Sequence, residues 1–176
     1  TIPTSGGQAT QLTSGLGRDH YPGWSPDGQN IAFGSGQTND RDIWIVPASG
    51  GPARQFTSDP ADDLYPRWSP DGQWLAFVSK RSGNPDIWIM PASGGQTVQL
   101  TRTPDYHEYG PEWSPDGERI AFTSYPEGNS RLGDIWIADM SGRRSLPADW
   151  GAIVGRVAHQ HDGSPLVGGA VRAEDK

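Results

Sequence analysis

Three short stretches carry most of the residues able to bind or react. They read Asp19-His20-Tyr21-Pro22, Asp63-Leu64-Tyr65-Pro66 and His107-Glu108-Tyr109-Gly110-Pro111, and each sets an acid three positions before a proline. Carboxylates interleaved with imidazole and phenol suit a cation, a basic peptide or a sugar. Two histidines with several acids also suit a metal. The plainer role is a solvated acidic rim whose members bond loop backbone. The candidate ligand-binding residues are therefore Asp19, His20, Tyr21, Asp63, Tyr65, His107, Glu108 and Tyr109. No residue is assigned to catalysis, to a resident metal or to a cofactor.

Nucleophilic catalysis needs Ser or Cys held beside a base and an acid. The chain has no cysteine and no G-x-S-x-G string. Its Gly-containing loops lack the strand-to-helix setting of a phosphate cradle. Ser25, Ser69 and Ser114 all sit in the same string, Trp-Ser-Pro-Asp-Gly. A serine repeated in one turn sequence reads as a turn former, and Asp27, Asp71 and Asp116 read likewise. Asp42, Asp86 and Asp134 precede apolar strands and read as loop or backbone partners. Calcium is their rival role, but no D-x-D-x-D-G loop is present.

The elements that hold these residues repeat. Trp-Ser-Pro-Asp-Gly begins at Trp24, Trp68 and Trp113; Asp-Ile-Trp-Ile begins at Asp42, Asp86 and Asp134; Ser-Gly-Gly begins at Ser5, Ser49 and Ser93. Three landmarks thus share a period of about 44 residues, the size of one four-stranded propeller blade. In the second repeat, Tyr65–Trp68 is a strand entering the Ser-Pro-Asp-Gly turn, and Trp74–Val78 returns from it. Asp86–Met90 is a nearly all-apolar third strand, and Thr97–Leu100 a fourth. Gly and Pro supply 40 of 176 residues, as expected of short strands and tight turns. The landmark tryptophans read as packing between neighbouring blades. The fold class is all-β: three four-stranded antiparallel sheets, as a partial ring or as half of a six-bladed dimer, with a C-terminal β-hairpin.

The set WSPDG, I/L-A-F-x-S, DIW, SGG and Q-L/F-T resembles the TolB-type repeat, a WD-repeat-like blade of bacterial propellers. The resemblance covers residues 1–147 as blades. It implies a propeller in a periplasmic or secreted protein and no single activity, since such blades also occur in peptidases, amidohydrolases and polysaccharide lyases. Residues 148–176, with Asp162-Gly163-Ser164-Pro165-Leu166 followed by Gly169-Ala170-Val171, resemble the opening of a carboxypeptidase regulatory-like domain. That resemblance implies a chain cut from a longer protein.

Three blades are too few for a ring. Residues 8–13 match a fourth strand yet precede the first repeat, while Arg143–Leu146 is a poor fourth strand for the third. Two readings follow: a strand-swapped homodimer completing six blades, or an open arc of a larger propeller. The net charge of −7 disfavours nucleic acid. No run of 18 apolar residues predicts a membrane span, and no basic-then-apolar opening predicts a signal peptide. The expected function is a non-catalytic binding or scaffold module recognising a protein or peptide at the channel mouth. The alternatives are an accessory propeller of a larger hydrolase and a carbohydrate-binding propeller.

Overall fold

Each Trp-Ser-Pro-Asp-Gly string closes a hairpin through its own side chains. The Ser25 hydroxyl donates to Asp27 Oδ1 at 2.5 Å, and Asn30 N–H donates back to Ser25 Oγ at 2.9 Å. Gln29 N–H donates to Asp27 Oδ1. The same bonds recur at Ser69 and Asp71 and at Ser114 and Asp116. Gly28, Gly72 and Gly117 close the turns with φ near 70°, where a Cβ would be strained. These hydroxyls and carboxylates are consumed by the turn.

The computed structural model describes residues 6–7, 9–15, 17–37, 40–129, 133–141 and 157–159. Three four-stranded antiparallel sheets result. Blade 1 holds β1 (His20–Trp24), β2 (Asn30–Gln37), β3 (Asp40–Pro47) and β4 (Arg54–Gln55). Blade 2 holds β5 (Asp63–Trp68), β6 (Trp74–Ser79), β7 (Asp86–Pro91) and β8 (Val98–Gln99). Blade 3 holds β9 (Tyr106–Trp113), β10 (Arg119–Pro126), β11 (Asp134–Asp139) and β12 (Val157–His159). Among the described residues there is no α-helix, and no helix long and apolar enough to cross a membrane.

The first strands of the blades form the inner edge of the arc, β1 lying against β5 and β5 against β9. The approach is close: a Cβ on Gly23 would stand 2.9 Å from the Pro66 carbonyl oxygen. Apolar side chains fill the two seams. Ala32, Ile43, Ile45, Leu75 and Phe77 pack between blades 1 and 2. Ile87, Ile89, Trp113, Ile120 and Phe122 pack between blades 2 and 3.

The seams explain why a blade needs a neighbour. Ile87 and Ile89 on β7 are fully buried under blade 3, whereas their counterparts on β11, Ile135 and Ile137, are 63% and 37% exposed. At the other end of the arc Trp24 is 52% exposed, while its counterpart Trp113 is 7% exposed. Trp113 also donates its indole N–H to the Arg67 carbonyl at 3.1 Å. The tryptophans therefore pack between blades only where a preceding blade exists.

The fourth strand of blade 3 departs from expectation. Val157–His159 pairs with β11, in the register Trp136↔His159, Ile137↔Ala158 and Ala138↔Val157. Arg143–Leu146, expected there, lies outside the described residues. β12 thus stands where a fourth strand of blade 3 was expected, supplied by residues farther along the chain. Of residues 8–13, expected as a spare strand, the described 9–13 carry no strand. Apart from 157–159, the expected C-terminal hairpin and the regulatory-like segment also fall outside the described residues.

Candidate functional site

The inner-edge strands each bulge just before their proline. Register shifts fall between His20 and Gly23 in β1 and between Leu64 and Arg67 in β5, with a matching shift in β9. The residue before proline takes a left-handed backbone: Tyr21 at φ 55°, Tyr65 at φ 56° and Gly110 at φ 62°. A non-glycine there costs on the order of 1 kcal/mol. Bulges re-aim side chains, and here they bring tyrosines together.

Tyr21 and Tyr65 stack with ring centres 3.7 Å apart, and the Tyr65 hydroxyl donates to the Tyr21 hydroxyl at 2.9 Å. Tyr65 meets Tyr109 edge-on at 6.0 Å, and Tyr109 meets Tyr125 at 6.2 Å. His20 tilts against Tyr21 at 5.7 Å. Of the expected residues, His20, Tyr21, Tyr65 and Tyr109 thus form one row. His107 lies opposite Tyr125 in the β9–β10 ladder. Burial raises the Tyr65 and Tyr109 phenols above their ordinary range, and for Tyr65 the hydroxyl contact with Tyr21 adds to the effect. Both stay protonated donors.

The acids go elsewhere. Asp63 and Glu108, expected at the mouth, are 0% and 1% exposed. Burial is the main cause raising both carboxyls, that of Glu108 to about 8. Each faces the seam toward the preceding blade. Glu108 accepts from Thr101 at 3.3 Å and from Thr103, both on the chain leaving blade 2, and from Ser124 at 3.4 Å in its own sheet. Asp19 accepts from Thr13 at 2.5 Å and from Ser35 at 2.6 Å, but stays exposed, with no earlier blade against it among the described residues. The acid before the proline is thus a seam bond, not a rim of free carboxylates. The aspartates before β3 and β7 join in: Asp42 accepts from Gln55 and Thr57, and Asp86 from Gln99 and Thr101. Among the described residues no group of three or more His, Asp or Glu side chains converges to hold a metal.

The charges that do stand beside the tyrosines were not singled out from sequence. Asp62 accepts from Arg41 Nε at 3.0 Å and Nη2 at 2.7 Å, and from Lys80 Nζ at 2.9 Å. The Arg41 and Lys80 contacts hold the Asp62 carboxyl down at about 2 against its burial. Arg41 lies near Tyr21 and Tyr65, and Lys80 near Tyr109. The signal available in sequence was the position after the A-F-x-S string, where the repeats differ: Gly36, Lys80 and Tyr125.

The arrangement offers aromatic faces, phenol donors and a two-cation, one-carboxylate cluster, and no paired nucleophile and base. A family model described as the TolB beta propeller domain matches residues 2–145. Among solved structures, a putative TolB from Agrobacterium tumefaciens is 28% identical, over 80% of this chain and 52% of its own, with a TM-score of 0.72. TolB from Acinetobacter baumannii is 27% identical, over 74% of this chain and 32% of its own, with a TM-score of 0.63. A puromycin-hydrolyzing peptidase from Mycobacterium tuberculosis shares the fold at 16% identity and a TM-score of 0.60, over 74% of this chain and 22% of its own. The chain spans about half the length of the first of these structures and a third of the second. No curated protein matches it in sequence.

Proposed function

The chain belongs to the TolB beta propeller domain family, and from that premise we propose that it is a non-catalytic binding module recognising a protein or peptide along its row of tyrosines. The observation that carries this reading is the backbone of Tyr21 and Tyr65. Two bulky residues hold left-handed conformations that glycine would adopt without strain, and the result is a stacked pair at the inner edge. Tyr21 remains 37% exposed, and strain kept beside an exposed aromatic is a pointer to a binding role. Aromatic side chains with few rotatable bonds also bind with little entropic loss.

The test is selection of binders from a displayed peptide library, followed by titration of the best peptide. Tyr21→Ala and Tyr65→Ala should each weaken it by about tenfold or more, the scale of an aromatic hot spot. Gln73→Ala, beside the β5–β6 turn at the far end of the blade, should leave it unchanged. Binders insensitive to both tyrosines would defeat the reading.

A second reading is an accessory propeller that positions substrate for a hydrolase domain of a longer protein. It is supported by the peptidase of the same fold, in which the matching blades are a minor part of the chain. A hydrolase motif elsewhere in the gene would favour it. The family likeness also supports a periplasmic or secreted location, which cell fractionation tests directly.

A further inference from the structure

Blade 2 keeps an arginine inside its seam with blade 1. Arg81 lies two residues past Ser79 and folds back over its own sheet. Its Nη2 donates to Asp63 Oδ2 at 2.7 Å, its Nε to Ser79 Oγ at 2.8 Å and its Nη1 to Thr97 Oγ1 at 2.9 Å. The guanidinium carbon stands 5.6 Å from the Phe77 ring centre and 4.9 Å from that of Trp88. Carboxylate, hydroxyls and two aromatic faces together make a socket for a planar cation.

Strand register reproduces this socket in blade 3. The pair Asp63↔Ser79 becomes Glu108↔Ser124, and Phe77↔Trp88 becomes Phe122↔Trp136. The residue two past Ser124, however, is Pro126, which carries no cation. A cavity of about 140 Å³ lies there, walled by Thr103, Tyr106, Glu108, Phe122, Ser124 and Trp136. That is several times the ~30 Å³ share of one water molecule. Among the described residues Glu108 has no ion-pair partner.

We propose that this cavity binds the guanidinium group of a ligand, either an arginine side chain of a peptide or a free arginine derivative. The walls combine the Glu108 carboxyl and the Thr103 and Ser124 hydroxyls with the Phe122 and Trp136 rings, which match a guanidinium better than a compact, strongly hydrated ammonium. The site is independent of the tyrosine row, since none of its polar groups belongs to it. The groups facing Glu108 are Thr101, Thr103, Ser124 and the Asp86 carboxylate. An entering cation favours the ionised carboxylate, so binding releases a proton and tightens as pH rises.

The experiment is calorimetric titration of the whole chain with N-acetyl-arginine amide, N-acetyl-lysine amide and the peptide Gly-Arg-Gly. Saturable binding of the arginine amide is expected, with the lysine amide weaker by about fivefold or more. Equal affinity for amide and peptide points to the free derivative, and tighter peptide binding to a partner's side chain. Glu108→Gln should weaken binding by about tenfold or more, while Gln73→Ala, beside the β5–β6 turn, leaves it intact. Pro126→Arg supplies the cation internally, as blade 2 does. It should abolish binding and raise the melting temperature, and adding Glu108→Gln should erase that gain. No saturation up to ~20 mM, equal binding of the lysine amide, or a lower melting temperature for Pro126→Arg would overturn the proposal.

Discussion

One substitution made at two equivalent places isolates what a neighbouring blade contributes. Trp113 and Trp24 fill the same slot of the Trp-Ser-Pro-Asp-Gly string, yet they are 7% and 52% exposed. A tryptophan that is almost wholly covered removes roughly 200 Å² from water, or about 5 kcal/mol at ~25 cal/mol per Å². That figure is an upper bound, because the denatured chain also buries part of the ring. Losing the indole bond to the Arg67 carbonyl adds about 1 kcal/mol. Trp113→Ala should therefore cost about 4 kcal/mol, within the range for Trp→Ala in cores. Trp24 covers about half that area and leaves no enclosed cavity when truncated, so Trp24→Ala should cost about 1–2 kcal/mol. Urea titrations followed by far-UV circular dichroism measure both, at two protein concentrations. Equal losses would refute the reasoning, because blade 1 would then have its outer face covered in solution. A Trp24→Ala loss that grows with protein concentration would identify a second copy as the cover.

The remaining expectations concern titration and the tyrosine row. Glu108 has its folded value raised from 4.5 to about 8, so the unfolded chain gives up this proton first. Its contribution is full below pH ~4.5 and is lost as pH rises to about 8; Glu108→Gln should flatten stability across that window in pH-dependent urea melts. Asp62 has the opposite sign. Its value falls from 3.8 to about 2, so its stabilisation is present above pH ~3.8 and is lost as pH falls through about 2. Asp62→Asn should cost about 2 kcal/mol at neutral pH, because Arg41 and Lys80 lose their shared partner, and almost nothing near pH 2. Tyr65→Phe removes only the bond to the Tyr21 hydroxyl and should cost about 0.5–1 kcal/mol by thermal melting. Tyr21→Gly relieves the left-handed strain while losing the stacked ring. These terms are of similar size, about 1 kcal/mol each, so its melting point should move little even though peptide binding is lost.

Much of this molecule follows from local sequence alone. Ser-Pro-Asp-Gly closes a turn by bonds that span no more than five residues, so it forms wherever it is written. The strands flanking that turn and the apolar Asp-Ile-Trp-Ile strands then fix four-stranded units. The 44-residue spacing announces their stacking. The site was legible only in part. Tyr21 and Tyr65 could be named, but their left-handed backbone could not. Contacts between repeats decided the rest. Asp62 and Asp63 are neighbours in the chain, but alternation sends one to Arg41 and Lys80 and the other into the seam with Arg81. Identical isoleucines are buried on β7 and exposed on β11 because, among the described residues, only β7 has a blade laid over it. Arg81 and Pro126 differ by one residue type on the page, yet only the packed seam turns that difference into a cavity. Hydrogen bonds a few residues long are encoded where they form; burial depends on which distant repeat arrives to cover a face.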